Sequence, residues 1–136
     1  MHVHLETQGN TLFERVGGEP FFVQLVSRFY DGVASDPLLR PLYPADLGPP
    51  SRHLALFLAQ YWGGPRTYSE LRGHPRLRMR HVPFRIGPAE REAWLGHMRA
   101  AIESSAAAPG DAQALMDYFE TAATSLINSA PASPGS

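Results

Sequence analysis

The chain has 136 residues, of which 43% are apolar and 10% aromatic, and its formal net charge is −1. This length and apolar content suit one domain with a compact core, whereas a net charge near zero argues against a general nucleic-acid binder. The chain has no cysteine, which excludes disulfides, thiolate chemistry and Cys-ligated metal sites, and it has no apolar run of about 18 residues to span a membrane.

Residues 1–10 have the composition of a flexible tail. They also lack the basic-then-apolar layout of a secretory signal, so we expect a cytoplasmic protein. Thr11 and Glu14 then stand three residues apart, which is typical of a capping box. This pattern predicts a short helix that ends at the Gly17-Gly18 pair.

A second helix is predicted over 19–34, with Pro20 in its first turn. Apolar residues recur there at steps of three and four and define one buried face: Phe22, Leu25, Val26, Phe29, Tyr30 and Val33. Ser35-Asp36-Pro37 ends this helix. Prolines 37, 41 and 44 then exclude a long helix, and the segment between them carries Leu38, Leu39, Leu42 and Tyr43.

A third helix is predicted over about 50–62, with Leu54, Phe57, Leu58 and Tyr61 as its inward stripe. Pro50 lies one turn earlier on that stripe, and His53 lies about 100° away from it. Residues 63–76 contain three glycines and two prolines. They predict an irregular connection, and in a small domain such a long connection is usually functional or disordered. A short helical turn is predicted over 76–81.

Gly87-Pro88 predicts the start of a further helix over about 88–105, with Trp94, Leu95, Met98 and Ile102 on one stripe. A loop over 106–110 leads to a last helix over about 111–128, which buries Leu115, Phe119, Ala122 and Leu126. Residues 129–136 read as a loose tail. Since no strand pattern, repeat or linker is found, the sequence predicts one all-α domain over 11–128.

Several motifs resemble the group II truncated haemoglobins over about 11–128. They are YWGGPRTYSELRGHPRLRMRH at 61–81, the glycine pairs at 17–18 and 63–64, Phe29-Tyr30, and Trp94. The resemblance implies a two-over-two helical sandwich around haem b. It also implies that a loop replaces much of the helix that carries the proximal histidine.

The resemblance assigns His81 as the proximal ligand of the haem iron, and Tyr30, Tyr43 and Trp94 as polar residues of the distal pocket. A neutral imidazole nitrogen binds iron, and tyrosine and tryptophan supply O–H and N–H donors. From the residues alone, a lone histidine is more often structural. Likewise, a buried tyrosine or tryptophan more often bonds to the backbone.

Six of the twelve basic residues lie at 66, 72, 76, 78, 80 and 85, close to His81. Arg80, Arg78 and Arg72 are therefore candidates to hold the haem propionates by charge-assisted hydrogen bonds, although a solvated surface role is equally open to each. Further candidates are Tyr68 and His74 at the haem edge, and Leu54, Phe57, Leu58, Phe84 and Met98 in the apolar wall. Pro50 or Ser51 is expected where many globins place a distal histidine.

The expected function is reversible binding of dioxygen, NO or CO at ferrous haem iron, with slow release. Slow release favours NO dioxygenation or peroxidase-like turnover, either of which needs an unidentified reductase. One alternative is an oxygen sensor or store without turnover, and another is a non-haem helical module that binds an acidic partner or RNA. A zinc hydrolase using His74 and His81 is a third, but their spacing fits no usual zinc motif. A homodimer is a further expectation.

Overall fold

The computed structural model describes residues 11–74, 76, 81 and 86–128, and within these ranges it is entirely helical with no strand. The α-helices are α1 (Leu12–Arg15), α2 (Glu19–Ala34), α3 (Gly48–Tyr61), α4 (Thr67–Arg72), α5 (Pro88–Glu103) and α6 (Pro109–Ser125), and Arg40–Leu42 forms a 3₁₀ turn. His81 is also helical. The predicted tails, 1–10 and 129–136, lie outside the described residues.

The four long helices form two packed pairs. Helix α2 packs against α3, helix α5 packs against α6, and α2 also packs against α5. The interface between them is filled by fully enclosed apolar side chains, the largest of which are Phe22, Phe29, Leu25, Leu58, Met98, Leu115 and Phe119. The prediction of an all-α, two-over-two sandwich is confirmed.

Helix α2 has the predicted bounds, whereas the ends of α3, α5 and α6 differ from the predicted ones by up to three residues. Helix α3 begins at Gly48 because both prolines that follow suit a first helical turn. For the same reason α6 begins at Pro109, inside the predicted loop. The predicted cap of α1 is present, because the Thr11 hydroxyl accepts a hydrogen bond from the Glu14 N–H at 3.2 Å. Helix α5 is also capped, since the Glu90 carboxylate accepts a hydrogen bond from the Gly87 N–H at 2.8 Å.

The prediction of an irregular connection over 63–76 is wrong in part, because helix α4 lies within it. Gln60 at the end of α3 anchors this helix. Its side-chain oxygen accepts a hydrogen bond from the Ser69 N–H at 3.0 Å, and its amide nitrogen donates to the Ser69 hydroxyl at 2.7 Å. A contact between side chain and backbone of this kind leaves no periodic signal in the sequence. Of the turn predicted over 76–81, only Arg76 and His81 are described.

Gly63→Ala is expected to lower the free energy of unfolding by about 1–3 kcal/mol. Gly63 has φ +111°, and a Cβ there would lie 2.7 Å from the Thr11 Cβ. The matched control is Gly96→Ala in α5, where a Cβ meets nothing within 4 Å and is expected to stabilise by about 0.5–1 kcal/mol. Urea unfolding measures both, and a Gly63→Ala protein as stable as wild type would contradict this packing of α1 on α3.

Candidate functional site

A cavity of about 540 Å³ opens between the helices, which is within the range of about 300–1,000 Å³ typical of small-molecule sites. Its lining is mainly apolar and comes from every helix except α1. Nine of the residues singled out in the sequence line it together: Tyr30, Tyr43, Leu54, Phe57, Leu58, Tyr68, Arg72, His81 and Trp94. The structure therefore brings the predicted proximal and distal residues into one cavity.

Of the remaining candidates for the apolar wall and the propionates, Met98 does not line the cavity. Met98 instead packs in the core cluster, so its prediction as a wall residue is not supported. Helical periodicity cannot separate core from cavity wall, because both are apolar. Phe84, Arg78 and Arg80 lie outside the described residues.

Of the two residues expected at the gate position, Pro50 lines the cavity. Ser51 instead lines a separate groove between α2 and α3, and its hydroxyl donates to the Leu47 carbonyl at 2.8 Å. His53 lines the cavity as well, although it lies off the inward stripe of α3. Its Nε2 is 3.5 Å from the Arg72 guanidinium, so these two side chains form a polar part of the wall.

The sequence also left several lining residues unassigned to the site. Ala122 of α6 and Leu126, directly after α6, had been predicted as core, and Leu39 and Leu42 had only been noted as apolar. All four line the cavity. The small side chain at Ala122 leaves space that a larger one would occupy. The apolar stripe of α6 indicates that its residues are buried, but it does not indicate whether they face the core or the cavity.

The three predicted distal residues form one aromatic cluster around Phe29. The ring centroid of Trp94 lies 4.8 Å from that of Phe29, and the centroid of Tyr30 lies 5.0 Å from it. Tyr30 and Tyr43 meet edge to face at 5.4 Å. Because Phe29 is fully buried, it fixes the positions of both Tyr30 and Trp94.

Burial keeps both tyrosines of this cluster protonated. It raises the pKa of Tyr30 far above its usual value, and the neighbouring Tyr43 raises it further, in part through a hydrogen bond. Burial also raises the pKa of Tyr43, while hydrogen bonds with Trp94 and Tyr30 act in the opposite direction. A hydrogen bond that favours the charged form is one the oxygen accepts. The Tyr43 oxygen therefore accepts from the other two residues, and its own O–H remains as a donor.

The segment that carries Tyr43 is held to α5 by Asp36. One Asp36 oxygen lies 2.7 Å from Nε2 of His97, one turn beyond Trp94, and the other accepts the Leu38 N–H at 2.9 Å. The Arg40 guanidinium then donates to the carbonyls of Tyr43, Pro44 and Ala45 at 3.3, 2.9 and 2.9 Å. Helix α5 thus positions Trp94 directly and Tyr43 through this chain of contacts.

In Asp36→Asn, the free energy of unfolding is expected to fall less steeply with decreasing pH than in wild type. The hydrogen bond with His97, followed by that with the Leu38 N–H, lowers the pKa of Asp36 below its usual value. Because the folded pKa is depressed, this stabilisation is fully present above the usual value near 4 and is lost as pH falls through the lower folded value. Urea unfolding between pH 5 and pH 2 measures it. An unchanged slope in Asp36→Asn would contradict the contact.

Other ionisable groups give little indication of a metal site. The part of the chain that is described holds no group of three or more His, Cys, Asp or Glu that could bind a metal ion. His74 is exposed, does not line the cavity, and accepts the Arg76 N–H at 3.1 Å. The structure therefore does not support its prediction as an edge residue.

No described helix is both long and apolar enough to cross a membrane.

His81 is tied to the end of α6 through its backbone. The Asn128 side-chain amide donates to the His81 carbonyl at 3.2 Å, and its oxygen accepts the Ile86 N–H at 2.8 Å. The Asn128 N–H in turn donates to the Ile86 carbonyl at 2.8 Å. An apolar cavity of this volume with one anchored histidine in its wall fits haem.

Comparisons with known proteins agree on the family. The model of the bacterial-like globins matches residues 11–128. The group 2 truncated hemoglobin YjbI of Bacillus subtilis is 40% identical over 119 residues, which cover 88% of this chain and 89% of that protein. A thermostable hemoglobin of Thermobifida fusca aligns with TM-score 0.85 and 57% identity over 88% of this chain and 98% of its own. The group II truncated hemoglobin of Bacillus anthracis aligns with TM-score 0.86 and 38% identity, covering 89% and 98%.

Proposed function

Because this chain belongs to the bacterial-like globin family and to its group II truncated haemoglobins, we propose that it binds dioxygen tightly and releases it slowly. We propose that it uses the bound dioxygen to remove nitric oxide, or that it removes peroxide in a separate peroxidase-like reaction. Its cofactor is haem b, and small gases such as dioxygen are its ligands. The observation that carries the proposal is the placement of His81, Tyr30, Tyr43 and Trp94 in the wall of one cavity.

His81 is the residue that would hold the iron. Haem b, when bound, supplies a ferrous iron that takes up dioxygen, NO or CO. The imidazole of His81 would bind the iron through a neutral ring nitrogen, and Asn128 restrains the backbone beneath it. The apolar wall of Leu54, Phe57 and Leu58 would enclose the macrocycle.

Arg72 is one described arginine that suits the propionates. It lies in the cavity wall at the end of α4, and a guanidinium binds a carboxylate with two parallel hydrogen bonds. Arg78 and Arg80 remain candidates for the same role, outside the described residues. His53, at 3.5 Å from Arg72, adds a second polar group at this part of the wall.

The distal cluster favours slow release. Dioxygen held in the cavity accepts hydrogen bonds, and each donor contributes about 0.5–1.5 kcal/mol. The Tyr43 hydroxyl is such a donor, with Tyr30 and Trp94 orienting it by their own hydrogen bonds to its oxygen. Because dissociation must break the bond that Tyr43 donates, and because Tyr30 and Trp94 hold that donor in place, the cluster slows dissociation.

Slow release suits consumption of dioxygen better than its delivery. Dioxygen, nitric oxide and one electron combine to give nitrate, and hydrogen peroxide takes up two electrons and two protons to give two water molecules. Both reactions consume electrons, so we propose that a separate reductase or small reductant supplies them. A homodimer and a cytoplasmic location remain predictions, which sedimentation and cell fractionation would test.

The test is to mix oxygenated protein with nitric oxide and to count nitrate. We expect one nitrate per haem within the mixing time of a stopped-flow instrument. If nitric oxide merely displaces dioxygen and no nitrate forms, the protein is an oxygen sensor or store without turnover.

A further inference from the structure

Two tyrosines connect the cavity to the surface. Tyr118 of α6 lines the cavity, and its ring centroid lies 4.4 Å from that of Tyr61 at the end of α3. Tyr61 is 53% exposed and does not line the cavity. The two rings are therefore in contact, with one end of the pair at the site and the other end in solvent.

Tyr61 is distinct among the five tyrosines of the chain. Tyr30, Tyr43 and Tyr118 line the cavity, and Tyr68 lines it with 5% exposure. Tyr61 alone is exposed. Tyrosine and tryptophan are the aromatic side chains that most readily lose one electron, and electron transfer between rings weakens steeply with distance, so direct ring contact is the arrangement that transfer requires.

Trp62 packs beside this pair. Its centroid lies 5.1 Å from Tyr61 and 5.7 Å from Tyr118. Its indole nitrogen is buried and has no hydrogen-bond partner within the described part of the chain. Burial and, to a smaller extent, the neighbouring Tyr61 together raise the pKa of Tyr118 to about 12. Its proton therefore stays on oxygen near neutral pH, and any electron that leaves Tyr118 must leave together with that proton.

We propose that Tyr118 and Tyr61 form an electron path from the cavity to the surface, and that Tyr61 is where a phenolic or aromatic-amine reductant exchanges electrons with the protein. The inference rests on the proposed peroxide activity. Each tyrosine on the path gives up one electron and one proton and is restored from the next residue outward. Tyr61 is restored by a hydrogen atom from the reductant, so that one hydrogen peroxide and two phenols give two water molecules and two phenoxyl radicals.

The experiment adds hydrogen peroxide to the haem-loaded protein without reductant and maps oxidised tyrosines by mass spectrometry. In wild type we expect covalent dimers linked through dityrosine at Tyr61. In Tyr118→Phe we expect oxidation of Tyr61 to fall by about tenfold or more, since each 1.4 kcal/mol added to a barrier slows a step tenfold. In Tyr61→Phe we expect dimers to be lost and the dioxygen off-rate to be unchanged.

Two controls distinguish a failure of the electron path from a failure of the proposed peroxide activity. A photo-activated ruthenium complex with persulfate oxidises exposed tyrosines from outside and should modify Tyr61 equally in wild type and in Tyr118→Phe. Peroxide consumption is followed in the same samples. If peroxide is consumed but Tyr61 is oxidised equally without Tyr118, or dimers persist in Tyr61→Phe, the path is wrong and the peroxide activity stands. If peroxide is not consumed, both the electron path and the proposed peroxide activity are contradicted.

Discussion

His81→Ala is expected to abolish stable retention of haem. His53 is the other described histidine in the cavity wall, and it lies on α3 beside Arg72. Without an axial imidazole, only apolar contacts and the propionate contacts would hold the haem. Titration of the apoprotein with hemin, followed by absorption and gel filtration, measures the loss. Added free imidazole should restore part of the wild-type spectrum.

The matched control is His74→Ala. His74 is exposed and outside the cavity wall, so its removal should leave hemin binding at the wild-type level. A His81→Ala protein that stays fully loaded through gel filtration would contradict the proximal assignment. Equal loss in both variants would point to a general effect on folding.

Trp94→Phe is expected to raise the dioxygen off-rate by about tenfold, which corresponds to one lost hydrogen bond of about 1.4 kcal/mol. The phenyl ring keeps the aromatic contacts with Phe29 and Phe119, whose centroids lie 4.8 and 5.6 Å away. It removes only the N–H that donates to the cluster at Tyr43. Stopped-flow displacement of dioxygen by CO measures the rate.

Trp62→Phe serves as the control, because Trp62 is the other tryptophan and does not line the cavity. Its off-rate should equal that of wild type. An unchanged off-rate in Trp94→Phe would mean that the indole only packs against its neighbours. Slow release would then have to come from Tyr30 and Tyr43 alone.

The three- and four-residue spacing of apolar residues predicted much of the fold, because the long helices are amphipathic. The stripe from Phe22 to Val33 predicted the bounds of α2 and placed Tyr30 on its buried face. Helix α4 was missed because it depends on the contact between Gln60 and Ser69, which are nine residues apart. Tertiary hydrogen bonds of that kind have no period in the sequence.

The residues of the site were harder to predict from the spacing of apolar residues than the helices were. His81 and Tyr43 came from the resemblance, since a lone histidine and a tyrosine between prolines carry no signal of their own. His53 was placed off the inward stripe of α3, but the cavity is wider than that stripe and includes it. The contact of Asp36 with His97 joins residues 61 positions apart and is visible only in the folded chain.

We propose that the cavity holds one haem through His81 and retains dioxygen when the iron is reduced. The most direct test is the absorption spectrum of the purified protein, recorded oxidised, then reduced, then oxygenated. We expect an intense Soret band with one haem per chain and an oxygenated spectrum that persists after free dioxygen is removed. A colourless protein that does not take up added hemin would contradict the account and favour a helical module that binds an acidic partner through its arginines.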